Sequence, residues 1–411
     1  MRHRFWSLLT LAAVVAVASL ILGGPEVERE LPAAVTAAVG AGAAPPETTV
    51  LPAFRAPAGD RLSPQVAASQ MLAVSFYGTR ITPGLRHLIL DEKVGTVLLF
   101  SPNFDDAGSL LRLTSELRTL GKQARLPAPL IVAVDEEGGR VMRVTDGVSP
   151  LPAAAVLGQR GPAGVRAAVA STARGLNRLG VDWDLAPVAD LRTNPFDAVI
   201  GDRSFGSDPA RTGPLVAAAV QGLHDGGVAA TLKHFPGLGG AAGDPHAAMP
   251  VDPVSLDRWL VTQARSFGAG IAAGADAVMT TAVVAPGLDP SGTPAMFSAP
   301  VVRLLRERLG FQGVVVADSL VMGAVTARYS LAQATVAAAS AGNDLLLLAD
   351  GDTAAEDAAL RALQRAVVVG AISEEQVQAS AARVIALRRR WGGDGAGRPP
   401  LAAPPALCSP C

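Results

Sequence analysis

Lysine is almost missing from this chain. Of 411 residues, only Lys93, Lys122 and Lys233 are lysines, beside five histidines, two tyrosines and two cysteines. The net charge is −1, and the one basic run is the triplet at 388–390, so there is no basic field for a nucleic acid partner. The cysteines, Cys408 and Cys411, stand at the very end. They supply too few ligands for a metal site, and their spacing suits a small disulfide in an oxidising compartment. No cysteine follows the N-terminal apolar run, which excludes a lipid-modified cysteine there. HExxH and His-x-His are absent, so a metal on Asp244, His246 and His234 lacks the usual spacing of a hydrolase centre, and neither metal nor organic cofactor is expected. No GxGxxG follows the first strand-like run, which argues against an open dinucleotide-binding sheet.

What is present falls into four parts. Residues 1–23 carry basic residues and then an apolar run from Phe5 to Leu22, the pattern of a signal peptide or an N-terminal membrane anchor. With either, the rest of the protein is expected to be exported, its positive flank staying inside. Residues 24–60 are an Ala/Pro-rich linker, and residues 392–411 form a Pro/Gly-rich tail. Between them, residues 61–391 alternate short apolar runs with amphipathic segments. The runs are MLAVSFYG, VGTVLLF, PLIVAVD, VDWDLAPVAD, GVAATLKHF, ADAVMTT, GVVVADS and NDLLLLAD. They are short and continuously apolar, as strands covered on both faces are. Their number and the β-then-α order predict an α/β fold, a single (β/α)8 TIM-type barrel.

Polar residues collect where those runs end: Asp135, Asp190, Lys233, His234, Thr280 and Asp318. In a barrel these ends share one rim, where ligands bind. Asp318 is either a helix N-cap or a carboxylate aimed into the mouth, able to attack an electrophilic carbon. Lys233 and His234 end an apolar strand and need a carboxylate, water or ligand, because desolvating a lone charge is costly. Four glycines then lead to Asp244 and His246, spaced so that the carboxylate can orient the imidazole. The segments VDEEGGRVMRV and IGDRSFGSDP add Arg140, Arg143 and Arg203, whose forks suit oxygen-rich substrates or a salt-bridge network.

Six ordered segments, IVAVDEEGGRVMRV, GVDWDLAPVADL, IGDRSFGSDP, TLKHFPGLG, GDPHAAMP and GFQGVVVADSLVMGAV, together resemble glycoside hydrolase family 3, in its single-domain bacterial β-N-acetylhexosaminidase branch. The resemblance implies a retaining double displacement, with Asp318 as nucleophile, His246 as acid/base and Asp244 as its dyad partner. It also implies that Asp135, Arg143, Arg203, Lys233 and His234 hold the terminal sugar of a GlcNAc-containing glycan such as a peptidoglycan fragment. Other branches resembling it take their acid/base from a second domain, and the Pro/Gly-rich residues after 391 are not expected to form one. Three positions depart from the pattern: Leu238 and Ala282 stand where histidine is usual, and Pro245 splits the dyad where serine is usual. The alternatives are another exo-β-glycosidase or a phosphorylase on the same barrel and, from a different class, a non-catalytic glycan-binding surface protein. The oligomeric state has no signature in the sequence.

Overall fold

A computed structural model of the chain describes residues 61–393 except 198 and 350. The leader, the linker and the tail beyond residue 393, including Cys408 and Cys411, lie outside the described residues. The strands in chain order are β1 (Leu72–Val74), β2 (Thr96–Leu98), β3 (Ile131–Val134), β4 (Glu136–Gly138), β5 (Val141–Met142), β6 (Trp183–Asp184), β7 (Ala229–Phe235), β8 (Ala277–Thr280), β9 (Val314–Ala317) and β10 (Leu345–Leu348). Eight of them close a parallel barrel in the order β1-β10-β9-β8-β7-β6-β3-β2, each lying in one of the eight apolar runs. The short β4–β5 hairpin is antiparallel and sits just past the end of β3.

Side chains alternate between two apolar layers. Ile131, Ala133, Trp183, Leu185, Met279 and Val316 pack in one cluster inside the barrel. Their neighbours Val132, Val134, Val278 and Val315 join the larger cluster shared with the helices. Each fully buried Val, Leu or Ile contributes about 1.5–3 kcal/mol, which is why these strands carry so little polar surface. The last helix, Glu374–Trp391, brings Val384, Leu387 and Trp391 against the inner cluster and closes the bottom of the barrel.

Below the apolar layers, Asp182, Asp276 and Asp344 precede β6, β8 and β10. Their carboxylates accept the backbone N–H groups of Val132, Ala230 and Val315 at 3.1, 3.0 and 2.8 Å. The same carboxylates pair with Arg118, His224 and Arg306 from the helical layer. Charge at this end is spent on joining strands to helices. Helix starts follow local chemistry: Asp106, Asp208, Ser330 and Ser373 each accept a first-turn N–H. The amphipathic segment 255–274 does not form one continuous helix. It breaks at Thr262 (φ −121°, ψ −101°) into Leu256–Val261 and Gln263–Ala272. The break lets the Gln263 amide bond both the N–H and the carbonyl of Leu191. Among the described residues no helix is long and apolar enough to cross a membrane.

Candidate active site

Carrying the inward alternation of the strands one step past the apolar layer reaches Asp135, Lys233, Thr281 and Asp318. Polar groups therefore start where the hydrophobic filling stops. Lys233 Nζ lies 2.6 Å from Asp135 Oδ1 and 2.6 Å from Glu137 Oε1. Glu137 also receives the Arg203 guanidinium in a fork, at 2.6 and 2.8 Å. Burial works against charge on all three of Lys233, Glu137 and Arg203. Mutual attraction wins: Lys233 and Arg203 are raised above, and Glu137 is held below, their ordinary ranges.

Arg203 Nη2 continues the network to His234 Nε2 at 3.3 Å, and His234 Nδ1 lies 2.7 Å from Asp190 Oδ2. A guanidinium can only donate, so Nε2 accepts and the proton sits on Nδ1, donated to Asp190. Asp190 also accepts the N–H of His234 at 2.9 Å and of Leu238 at 2.6 Å, so one carboxylate fixes both the strand end and the turn after it. The Lys233–His234 and Phe235–Pro236 peptide bonds are cis. On the other side, Arg143 lies 3.7 Å from Asp135 Oδ2 and over the Phe100 ring, and its buried Nε has no protein partner. Arg140 instead turns to the carbonyls of Val199 and Ile200, bracing the loop that carries Arg203.

Asp318 does not cap a helix. The next helix begins at Gly323, and the Asp318 carboxylate accepts Thr281 Oγ1–H at 2.8 Å and the Ser319 N–H at 2.7 Å. Thr280, one of the polar residues expected at the rim, bonds Asn343 instead, and it is Thr281 that reaches the site.

The loop after β7 carries the second half. Asp244 Oδ1 accepts both the N–H (2.9 Å) and the Nδ1–H (2.8 Å) of His246. Burial alone would raise Asp244, yet these two bonds and the imidazole hold it below its ordinary range. The loop is fastened at both ends. Asn194 bonds the Gly239 and Ala241 carbonyls' segment, and Ala242 pairs with Val251. At its tip the Ala324 N–H donates to the Pro245 carbonyl at 3.0 Å, and a Cβ on Gly323 would stand 2.2 Å from the His246 carbonyl oxygen. The dyad backbone thus rests on the segment that follows Asp318. Gly237 and Gly243 need positive φ (132° and 113°), but Gly239 and Gly240 are required for close packing against Leu191 and Asp252. Of the three unusual positions, Leu238 and Ala282 are buried in the core and Pro245 lies in the docked tip.

Two groups result: a charge network around the barrel mouth, and a histidine dyad whose backbone is docked on the segment that follows Asp318. Polar and charged groups gathered on the C-terminal side of a parallel barrel mark the active site of a barrel enzyme. The Glycosyl hydrolase family 3 N terminal domain matches residues 65–387, and the chain belongs to that family. A beta-hexosaminidase of Xylella fastidiosa (strain M23) is 37% identical over 286 residues, covering 68% of this chain and 83% of that protein. A beta-hexosaminidase of Xanthomonas campestris pv. campestris (strain B100) is 36% identical over 313 residues, 74% of this chain and 92% of that protein. The structure of a family 3 β-N-acetylglucosaminidase from Paenibacillus sp. str. FPU-7 superposes with a TM-score of 0.78 at 34% identity, covering 85% of this chain and 66% of that one. A β-N-acetylhexosaminidase from Beutenbergia cavernae DSM 12333 gives 0.74 at 30% identity, covering 80% and 99%.

Proposed function

We propose that this glycoside hydrolase is a retaining exo-β-N-acetylglucosaminidase that removes terminal GlcNAc from peptidoglycan fragments or related glycans. The relatives named above, hexosaminidases and a β-N-acetylglucosaminidase, support the sugar. The observation that carries the mechanism is the docking of the Asp244–His246 loop on Gly323 and Ala324, a few residues past Asp318.

In the first step the Asp318 carboxylate attacks the anomeric carbon while the bond to the leaving oxygen breaks, and His246 Nε2 gives that oxygen its proton. Asp244, holding Nδ1–H, stabilises the imidazolium that carries the proton beforehand. In the second step neutral His246 takes a proton from water, whose oxygen attacks the same carbon and releases Asp318. Thr281 and Ser319 donate to the carboxylate and fix its direction. Asp135 Oδ2, the Arg143 fork and the third Lys233 proton are not used up by the network and suit the hydroxyl and acyl oxygens of the terminal sugar. Arg203 and His234 hold these groups in register through Glu137 and Asp190. The chain's work on a cell-wall glycan accords with an exported enzyme tethered or released through its first 23 residues.

Turnover of 4-nitrophenyl β-GlcNAc against the matching β-glucoside, by the protein lacking its first 60 residues, tests this. The account expects a strong preference for the GlcNAc substrate, its loss in Asp318→Ala, and no acceleration or sugar phosphate on adding inorganic phosphate. Preference for the glucoside overturns the sugar assignment. Sugar phosphate as product makes the enzyme a phosphorylase.

A further inference from the structure

Glu136 takes no part in the chemistry above, yet it is one of the most buried carboxyl groups in the protein, at 1% exposure. It stands between Asp135 and Glu137 in sequence and faces away from the mouth. Its Oε2 accepts two consecutive backbone N–H groups, those of Arg143 at 2.8 Å and Val144 at 2.9 Å. Its own N–H donates to Asp184 Oδ1 at 2.9 Å. Its Oε1 is buried without a protein partner. Behind it lies a cavity of ≈ 20 Å³ lined by Glu136, Glu137, Asp184 and Arg203 with apolar side chains from the helices, about the room one water needs.

We propose that Glu136 is a positioning residue for the sugar-holding arm: its carboxyl group clamps the backbone of Arg143 and Val144, and so sets the Arg143 guanidinium against Asp135. Arg143 leaves the β4–β5 hairpin, a two-strand element too small to be stable by itself. The two Glu136 bonds tie its far strand back to β4, and the Asp184 bond ties Glu136 to the barrel wall. A neutral carboxyl can serve this duty, since one oxygen accepts both N–H groups and a proton on the other leaves those bonds in place. Burial accordingly pushes Glu136 up to about 7, against the pull of the Val144 and Arg143 N–H bonds and the Arg143 charge, while Asp135 adds to the rise. Asp184, fully buried and facing Glu136, is raised in the same direction by burial. Glutamine keeps the accepting oxygen and the neutral charge, with an NH2 in place of the OH.

The inference rests on the reading of Arg143 as a sugar-holding residue, so it is tested by a measurement that needs no substrate and by one that does. Amide hydrogen exchange over residues 141–146 is expected to be equally slow in the wild type and Glu136→Gln, and at least about tenfold faster in Glu136→Ala. In kinetics on an aryl β-GlcNAc, Glu136→Ala is expected to raise KM about tenfold with kcat little changed, and Glu136→Gln to restore it. In an Arg143→Ala background the Glu136→Ala change is expected to add almost nothing to KM. Unchanged exchange in Glu136→Ala, or additive effects on KM in the double variant, overturns the proposal. If the wild type fails to turn over the substrate, the proposed function falls, and the exchange measurement still decides the clamp.

Discussion

All four described histidines bond an aspartate: His87 meets Asp91 at 2.8 Å on the outer helical layer, where its other nitrogen faces Glu92 and Asp357, and three more lie around the barrel. His224 and Asp276 meet at 2.7 Å, His234 and Asp190 at 2.7 Å, and His246 and Asp244 at 2.8 Å. Their surroundings differ. His224, with 2% of its side chain exposed, lies at the closed end of the barrel stacked on Trp391, and its second nitrogen is buried without a partner. His234, 8% exposed, has its second nitrogen against Arg203. His246 is 73% exposed, and its Nε2 is left for a reacting partner. A His–Asp bond therefore says only that an imidazole is oriented. What the other nitrogen can touch separates a strand-to-helix tie, a link in a binding network and a proton carrier.

The largest expected effect comes from removing the most exposed member. His246→Ala should lower kcat/KM for a GlcNAc glycoside with a sugar or alkyl leaving group by about 10²–10⁴, the usual worth of a positioned acid/base, with a far smaller loss for 4-nitrophenyl β-GlcNAc, whose leaving group needs little protonation. A uniform loss across leaving groups breaks the distinction. The buried network should answer in stability. Lys233→Ala leaves Asp135 and Glu137 facing each other without their shared cation, and urea unfolding should show a loss of about 3–5 kcal/mol.

These two halves were unequally visible in the sequence. All eight apolar runs became barrel strands, because burial on both faces leaves a continuous signature. Asp135, Lys233, His234 and Asp318 were visible as polar residues ending such runs, and Arg203, Asp244 and His246 as polar residues on the glycine-bearing loops between them. Glu137, the hub between Lys233 and Arg203, was missed, since in DEEGGR it reads as one loop acid among several. Charge balance pointed to it: two buried cations need a second carboxylate beside Asp135. Thr281 and the β4–β5 hairpin were hidden for another reason, as both depend on which strands become neighbours. Of the four loop glycines, Gly237 and Gly243 hold positive φ while Gly239 and Gly240 allow close packing, a division that composition does not reveal.

Acidity supplies a third prediction. Glu136 keeps its proton to about 7 when folded and loses it near 4.5 when unfolded. Its contribution is therefore lost as pH rises through that window and is constant above it, by about 3 kcal/mol at most. Unfolding free energies at pH 5 and 7.5 should show the wild type losing more on this rise than Glu136→Gln; equal slopes contradict it. The smallest effect belongs to the closed end. In His224→Ala, Asp276 keeps the Ala230 N–H and Trp391 Nε1, so stability should fall by about 1–2 kcal/mol with kcat/KM unchanged. A lost activity there would show that the closed end communicates with the mouth.

The most direct test of the account is covalent. A fluorinated β-N-acetylglucosaminyl fluoride, which forms the sugar ester faster than water removes it, is expected to add one sugar mass to the peptide containing Asp318. Peptide mass spectrometry reads the result. Labelling at Asp318, absent in Asp318→Ala, is the predicted outcome. An unlabelled protein, or a label on another carboxylate, contradicts the claim that this aspartate, and not a residue of the charge network, meets the anomeric carbon.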